Sequence, residues 1–163
     1  LVGAGCILKT QSKGASGFIA RLPHSMRILF LDDMKSRRDV FQQKAIGCVV
    51  DFAITAQEAI DLLKKNEYDV IYLDHDLEEE HYHVTKDDHE DGRFVARHLK
   101  DMTQHHGKIV VVHSLNPAGR ANIKSILDVH FDVWMPENVR FPELWKIEVA
   151  TLIGAIRKFN SQN

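Results

Sequence analysis

What most constrains the fold of this chain is an alternation, from Arg27 onward, of short β-branched runs with helical stretches. Such alternation builds parallel strands joined by crossover helices that cover both faces of one sheet. Five units can be counted. The expected strands are Ile28 to Leu31, Val49 to Ile54, Asp69 to Leu73, Lys108 to His113 and a weaker one at Phe131 to Trp134. Several are continuously apolar, which suits parallel strands buried on both sides.

Helix starts are equally readable. Ser36 is expected to cap the first helix, Thr55 with Glu58 forms a capping box for the second, and Asn116 followed by Pro117 opens the fourth. In the last helix Trp145, Val149, Leu152, Ile156 and Phe159 recur at spacings of four and three, an apolar stripe expected to pack on the sheet. A chain of 163 residues is long enough for one such domain to bury a core without staples.

Residues 1–25 show neither period, and Lys9, Lys13 and Arg21 break any signal-peptide core, so this stretch is expected to be an extension preceding a domain over 26–163, with Met26 as the natural start. Cys6 and Cys48 lack CxxC spacing and read as free thiols, and no run approaches the ~20 apolar residues of a membrane span. A cytoplasmic protein is expected. A net charge of -2 removes the broad attraction to nucleic acid of a basic domain, and no dedicated DNA-binding segment is expected after the last helix. A homo-oligomer stays open.

Sheets of this kind bind ligands outside the carboxyl ends of their strands. Polar residues gather there: Asp32 and Asp33 after the first strand, Asp74, His75 and Asp76 after the third, His113, Ser114 and Asn116 after the fourth. Clustered carboxylates repel and resist burial, so stability alone accounts for them poorly. The helix starting at Pro117 would aim free N–H groups and its positive dipole end at a phosphate, with Ser114, Asn116 and Arg120 as further phosphate contacts. Asp74, His75, His113 and Asp33 are the candidates for chemistry, the two imidazoles taking opposite proton-transfer parts. Asp32, Asp33, Asp74 and Asp76 could instead, or in addition, hold a divalent cation such as Mg²⁺. Lys35, Arg37 and Arg38 read either as a solvated helix face or as a reception for an anionic substrate.

The stretch Glu78 to Asp91 is much longer than the ~2–6 residues usual between a strand and its helix. Its seven carboxylates and three imidazoles, His81, His83 and His89, read as a solvated acidic lid or, less directly, as a zinc site. His105 and His106 are expected to compensate a helix dipole.

An acidic pair, a strand-end Asp and a strand-end Ser resemble the receiver domains of two-component signalling, and NEYDVIYLDHDL is especially similar. The resemblance implies a flavodoxin-like sheet of order 2-1-3-4-5. It also implies Mg²⁺ on Asp32 and Asp33, phosphoryl transfer to Asp74 and readout by Ser114. Met135 stands before Pro136 where a receiver has its phosphate-clamping Lys. LDHDL together with HSLNPAGR further resembles the cyclic-phosphate processing receiver-like family, which implies roles for Asp32, Asp33, Asp74, His75, Asp76, His113, Ser114 and Asn116. The expected function is a phosphoesterase or phosphate-binding enzyme acting on cyclic or terminal phosphates of nucleotides or RNA ends. The alternatives are a signalling module phosphorylated on Asp74 and a catalytically inactive phosphate-binding module.

Overall fold

A computed structural model describes residues 25–77, 91–136 and 148–162. Strands β1 (Arg27–Leu31), β2 (Val49–Ala53), β3 (Val70–Leu73), β4 (Ile109–Val112) and β5 (Asp132–Trp134) form one parallel sheet in the order β2-β1-β3-β4-β5. Helices α1 (Lys35–Lys44), α2 (Ala56–Lys65), α3 (Gly92–Lys100), α4 (Pro117–Leu127) and α5 (Val149–Asn160) connect and cover it. The expected architecture and strand order are both present, with no strand end differing from the sequence reading by more than one residue.

Strand alternation divides the core in two. Leu29, Leu31, Ile71, Leu73, Val110 and Val112 face α2, α3 and α4. Ile28, Phe30, Val70, Tyr72, Ile109 and Val111 face α1 and α5. Because β1, β3 and β4 are apolar toward both sides, they take the centre of the sheet. Each large side chain so enclosed contributes about 1.5–3 kcal/mol. The register pairs Leu31 with Leu73 and Leu73 with Val112, so the three central strands end level with one another. Asp32, Asp74 and His113, each the next residue in its strand, are thereby brought to one line.

Two helix starts follow the expectation. Thr55 accepts the Glu58 N–H while Glu58 accepts the Ile54 N–H, and Asn116 accepts the Gly119 N–H with Pro117 in the first helical position. Ser36 does not cap α1. That helix begins at Lys35 after Met34, and the Asp32 carboxylate takes the Met34 N–H at 2.8 Å, so the strand-end acid supplies the local turn. The stripe on α5 is also corrected: Val149, Leu152, Ile153 and Ile156 face the core, whereas Phe159 is 65% exposed. Trp145, Cys6, the extension up to residue 24 and the acidic stretch 78–90 with His81, His83 and His89 lie outside the described residues. Cys48 is a free thiol.

His105 is a packing residue. It is fully buried against the Tyr68 ring and donates from Nε2 to the Leu63 carbonyl at 3.0 Å. His106 meets the dipole expectation more directly, donating to the Lys100 carbonyl at the end of α3. Among the described residues no helix is long and apolar enough to cross a membrane.

Candidate functional site

At the level ends of β1, β3 and β4 the chain buries charged groups that an apolar core would reject. Asp32 has no solvent exposure, and Asp74 and His113 have almost none. Such groups persist when partners replace water. His113 Nε2 lies 3.2 Å from Asp32 Oδ2, with its ring stacked on Phe30 at a centroid distance of 4.9 Å. Asp74 Oδ1 accepts the His75 N–H at 2.7 Å. One ligand atom each from Asp32, Asp74 and His113 falls within a sphere where all separations are under 4.8 Å.

The cation at this cluster is Arg37. Its Nη1 donates to Asp74 Oδ2 at 2.8 Å and lies 3.2 Å from Asp32 Oδ2. Its Nε and Nη2 lie 3.0 and 2.7 Å from Met34 Sδ, which steadies the guanidinium from the solvent side. Arg38 turns inward as well, donating to the Asp32 and Asp33 carbonyls, while Lys35 stays on the surface paired with Asp39. Burial pushes the Asp74 carboxyl above the usual aspartate range, and His113 and Arg37 only partly offset it.

A second constellation adjoins the first across the Asp74–His75 and His113–Ser114 peptides. His75 Nδ1 is 2.7 Å from Asp76 Oδ1, and its Nε2 is 3.7 Å from Asp91 Oδ2. Asp76 also accepts from Asn116 Nδ2 and from the Ser114 hydroxyl, each at 3.2 Å. Although partial burial works against ionisation, hydrogen bonds from His75, Asn116 and Ser114 hold the Asp76 carboxyl below its usual range. Two glycines allow this packing. A Cβ on Gly119 would stand 2.3 Å from the His75 ring, and one on Gly92 would stand 2.1 Å from the Asp74 carbonyl oxygen.

The sequence-expected residues therefore separate into two groups. Asp32, Asp74 and His113 converge; His75, Asp76, Ser114 and Asn116 form a neighbouring network. Asp33 follows Asp32 without joining the three-residue ligand group, and Asp76 is turned onto its own partners. Arg120 donates to the Pro136 carbonyl at 3.1 Å and so ties α4 to the end of β5. The first N–H groups at α4 are partly satisfied within the chain, that of Asn116 by Ser114 and that of Gly119 by Asn116.

Two participants were read otherwise from the sequence, Arg37 as a solvated face or an anion reception and Asp91 as part of the acidic stretch. Arg37 could have been found from direction: helix side chains lean toward the N-terminus, so a residue in the first turn of α1 overhangs the strand ends. Asp91 caps α3 through the Arg93 and Phe94 N–H groups, and its other oxygen faces His75.

The donor set of Asp32, Asp74 and His113, two carboxylates and one imidazole, fits a divalent cation.

The model of a family described as the cyclic-phosphate processing receiver domain matches residues 27–129. No curated protein matches. Among solved structures, the response regulator domain of Thermotoga maritima CheB has a TM-score of 0.56 at 18% identity, covering 82% of this chain and 94% of that one. The Vibrio cholerae chemotaxis protein CheY4 has a TM-score of 0.53 at 19% identity, covering 74% and 93%. A CheY-like receiver domain protein from Methanospirillum hungatei has 0.53 at 17%, covering 85% and 98%. At these identities the likeness speaks for the fold.

Proposed function

The chain belongs to the cyclic-phosphate processing receiver domain family, and from that premise we propose that it is a phosphoesterase acting on a cyclic or terminal phosphate of a nucleotide or RNA end. The observation that carries the reading is the pair of imidazole–carboxylate couples, His113 with Asp32 and His75 with Asp76, flanking the buried Asp74.

Opening a 2′,3′-cyclic phosphate joins a water oxygen to phosphorus and breaks one ring P–O bond. One proton leaves the water, and one arrives on the departing ribose oxygen. His75 is the imidazole suited to this traffic. With Nδ1–H directed at the ionised Asp76, its Nε2, buried 3.7 Å from Asp91 Oδ2, would take the proton from water and pass it to the departing ribose oxygen, Asp76 stabilising the imidazolium in between. Ser114 and Asn116 orient Asp76 and thereby the ring. His113 lies deeper and fixes the Asp32 carboxylate. Asp32, Asp74 and His113 would hold a divalent cation, which supplies neutralisation of the charge gathering on phosphate oxygens. Asp33 stays a candidate for chemistry or cation binding beside Asp32, and Arg120, held by the Pro136 carbonyl, a candidate phosphate contact.

The test is release of phosphomonoester from 2′,3′-cyclic AMP by the full chain with Mn²⁺ or Mg²⁺. Turnover is expected, and His75→Ala should lower it by about 10²-fold or more. His113→Ala should abolish the cation dependence. No turnover with either cation, or full turnover in both variants, would remove the enzyme reading. A second reading has its own support, since Asp74 stands at the end of β3 with Oδ2 paired to a guanidinium. In that case Asp74 accepts a phosphoryl group, and beryllofluoride should form an adduct there.

A further inference from the structure

The cation at the strand ends belongs to the chain itself, and its position has consequences for any ion that enters. Arg37 Nη1 contacts the Oδ2 atoms of Asp74 and Asp32, and that same Asp32 oxygen faces His113 Nε2. These are members of the three-residue group able to ligate a metal. A divalent ion and the guanidinium would therefore compete for the same oxygens. The side chains of Asp32 and His113 have no exposure and that of Asp74 has 3%, while Arg37 is 21% exposed and sits in the first turn of α1. Arg37 can thus withdraw toward solvent without unpacking the core, whose contact with α1 runs through Phe41 and Ala45.

Charge arithmetic favours exchange over simple addition. Among Asp32, Asp74 and Arg37, two carboxylates against one guanidinium leave one negative charge, which disfavours a phosphate. A divalent ion neutralises both carboxylates and leaves the displaced guanidinium as a free positive charge at the rim. Met135 stands where the receiver resemblance leads one to expect a cationic Lys, so this displaced group has an evident task.

We infer that Arg37 is an internal counter-cation, displaced when a divalent ion binds Asp32, Asp74 and His113, and that its displacement turns the strand ends from an anion-repelling site into an anion-accepting one. The inference rests on the cation site in the reading above, but its tests read binding alone, so absence of turnover would leave it standing.

Mn²⁺ binding to the full chain, followed by the loss of the free-ion magnetic resonance signal, tests the competition. Arg37→Gln should bind Mn²⁺ about tenfold or more tightly than the native chain, within the range of ordinary site-to-site coupling. Adding Asp32→Asn should abolish that gain. Equal or weaker Mn²⁺ affinity in Arg37→Gln would overturn the inference. The native chain provides an independent check should that variant fold poorly. In ¹⁵N spectra the Arg37 Nε resonance should shift and lose exchange protection as Zn²⁺ is added, and inorganic phosphate should then perturb it further. An Arg37 resonance unaltered at Zn²⁺ saturation would equally refute exchange.

Discussion

Replacing Gly92 by Ala tests how closely α3 is set against the strand that carries Asp74. Helix propensity alone favours the change by up to about 1 kcal/mol. The structure reverses the sign, because the new Cβ would lie 2.1 Å from the Asp74 carbonyl oxygen and 3.0 Å from the His75 Cα. That is about 1 Å inside ordinary van der Waals contact. The obstacle is backbone, and it cannot rotate away: the Asp74 N–H is bonded to the Leu31 carbonyl at 3.1 Å, and the Gly92 N–H to the His75 carbonyl at 3.1 Å. Overpacking costs about 1–3 kcal/mol, and a rigid neighbour belongs at the upper end. The expected net loss is therefore about 2 kcal/mol, or roughly 4–8 °C in melting temperature for a domain of this size. Gly154→Ala is the matched control. Gly154 lies within α5 with nothing within 4 Å of the added methyl, so the same change should stabilise by about 0.5–1 kcal/mol. Urea unfolding of both variants reads the difference. A Gly92→Ala protein as stable as the native chain would refute the assigned closeness of α3 to β3.

Asp74→Asn should be more stable than the native chain at neutral pH. The folded state raises the Asp74 pKa, so ionisation opposes folding once pH passes the ordinary aspartate value. The advantage of Asn should shrink as pH falls toward that value, measured by urea midpoints across a pH series. Thr55→Ala should cost about 1 kcal/mol through the lost cap of α2, read from the same unfolding curves. Ile153→Ala should cost about 2–5 kcal/mol, whereas Phe159→Ala should stay within about 0.5 kcal/mol. Equal effects at the two positions would contradict the observed rotation of α5.

The sheet was legible because parallel strands buried on both sides must be apolar without interruption, and β1, β3 and β4 are so written. Caps at Thr55 and Asn116 were legible because a short side chain accepting an N–H leaves a local pattern. Ser36 misled for the same reason: the pattern was present, but a carboxylate on the preceding strand had already fixed the turn. On α5, helical spacing admits either Phe159 or Ile153 with Leu152 and Ile156, and only the tertiary packing decides. Asp32, Asp74 and His113 stood out as polar residues ending apolar strands. Their division from the His75–Asp76 network could not be read, since it depends on where consecutive side chains turn. Arg37 was ambiguous because a charge on an amphipathic helix looks alike in sequence whether it meets water or a buried carboxylate.

The hydrogen bond from Gly92 to the His75 carbonyl, with Asp91 beside the His75 ring, joins the two ends of the 78–90 stretch at its base. Once a base is fastened in this way, the intervening residues can be lengthened or exchanged at little entropic expense, since closing a loop grows costlier only logarithmically with its size. The spacing of His75, Asp91 and Gly92 is accordingly set by contacts among residues on either side of positions 78–90, not by what lies between.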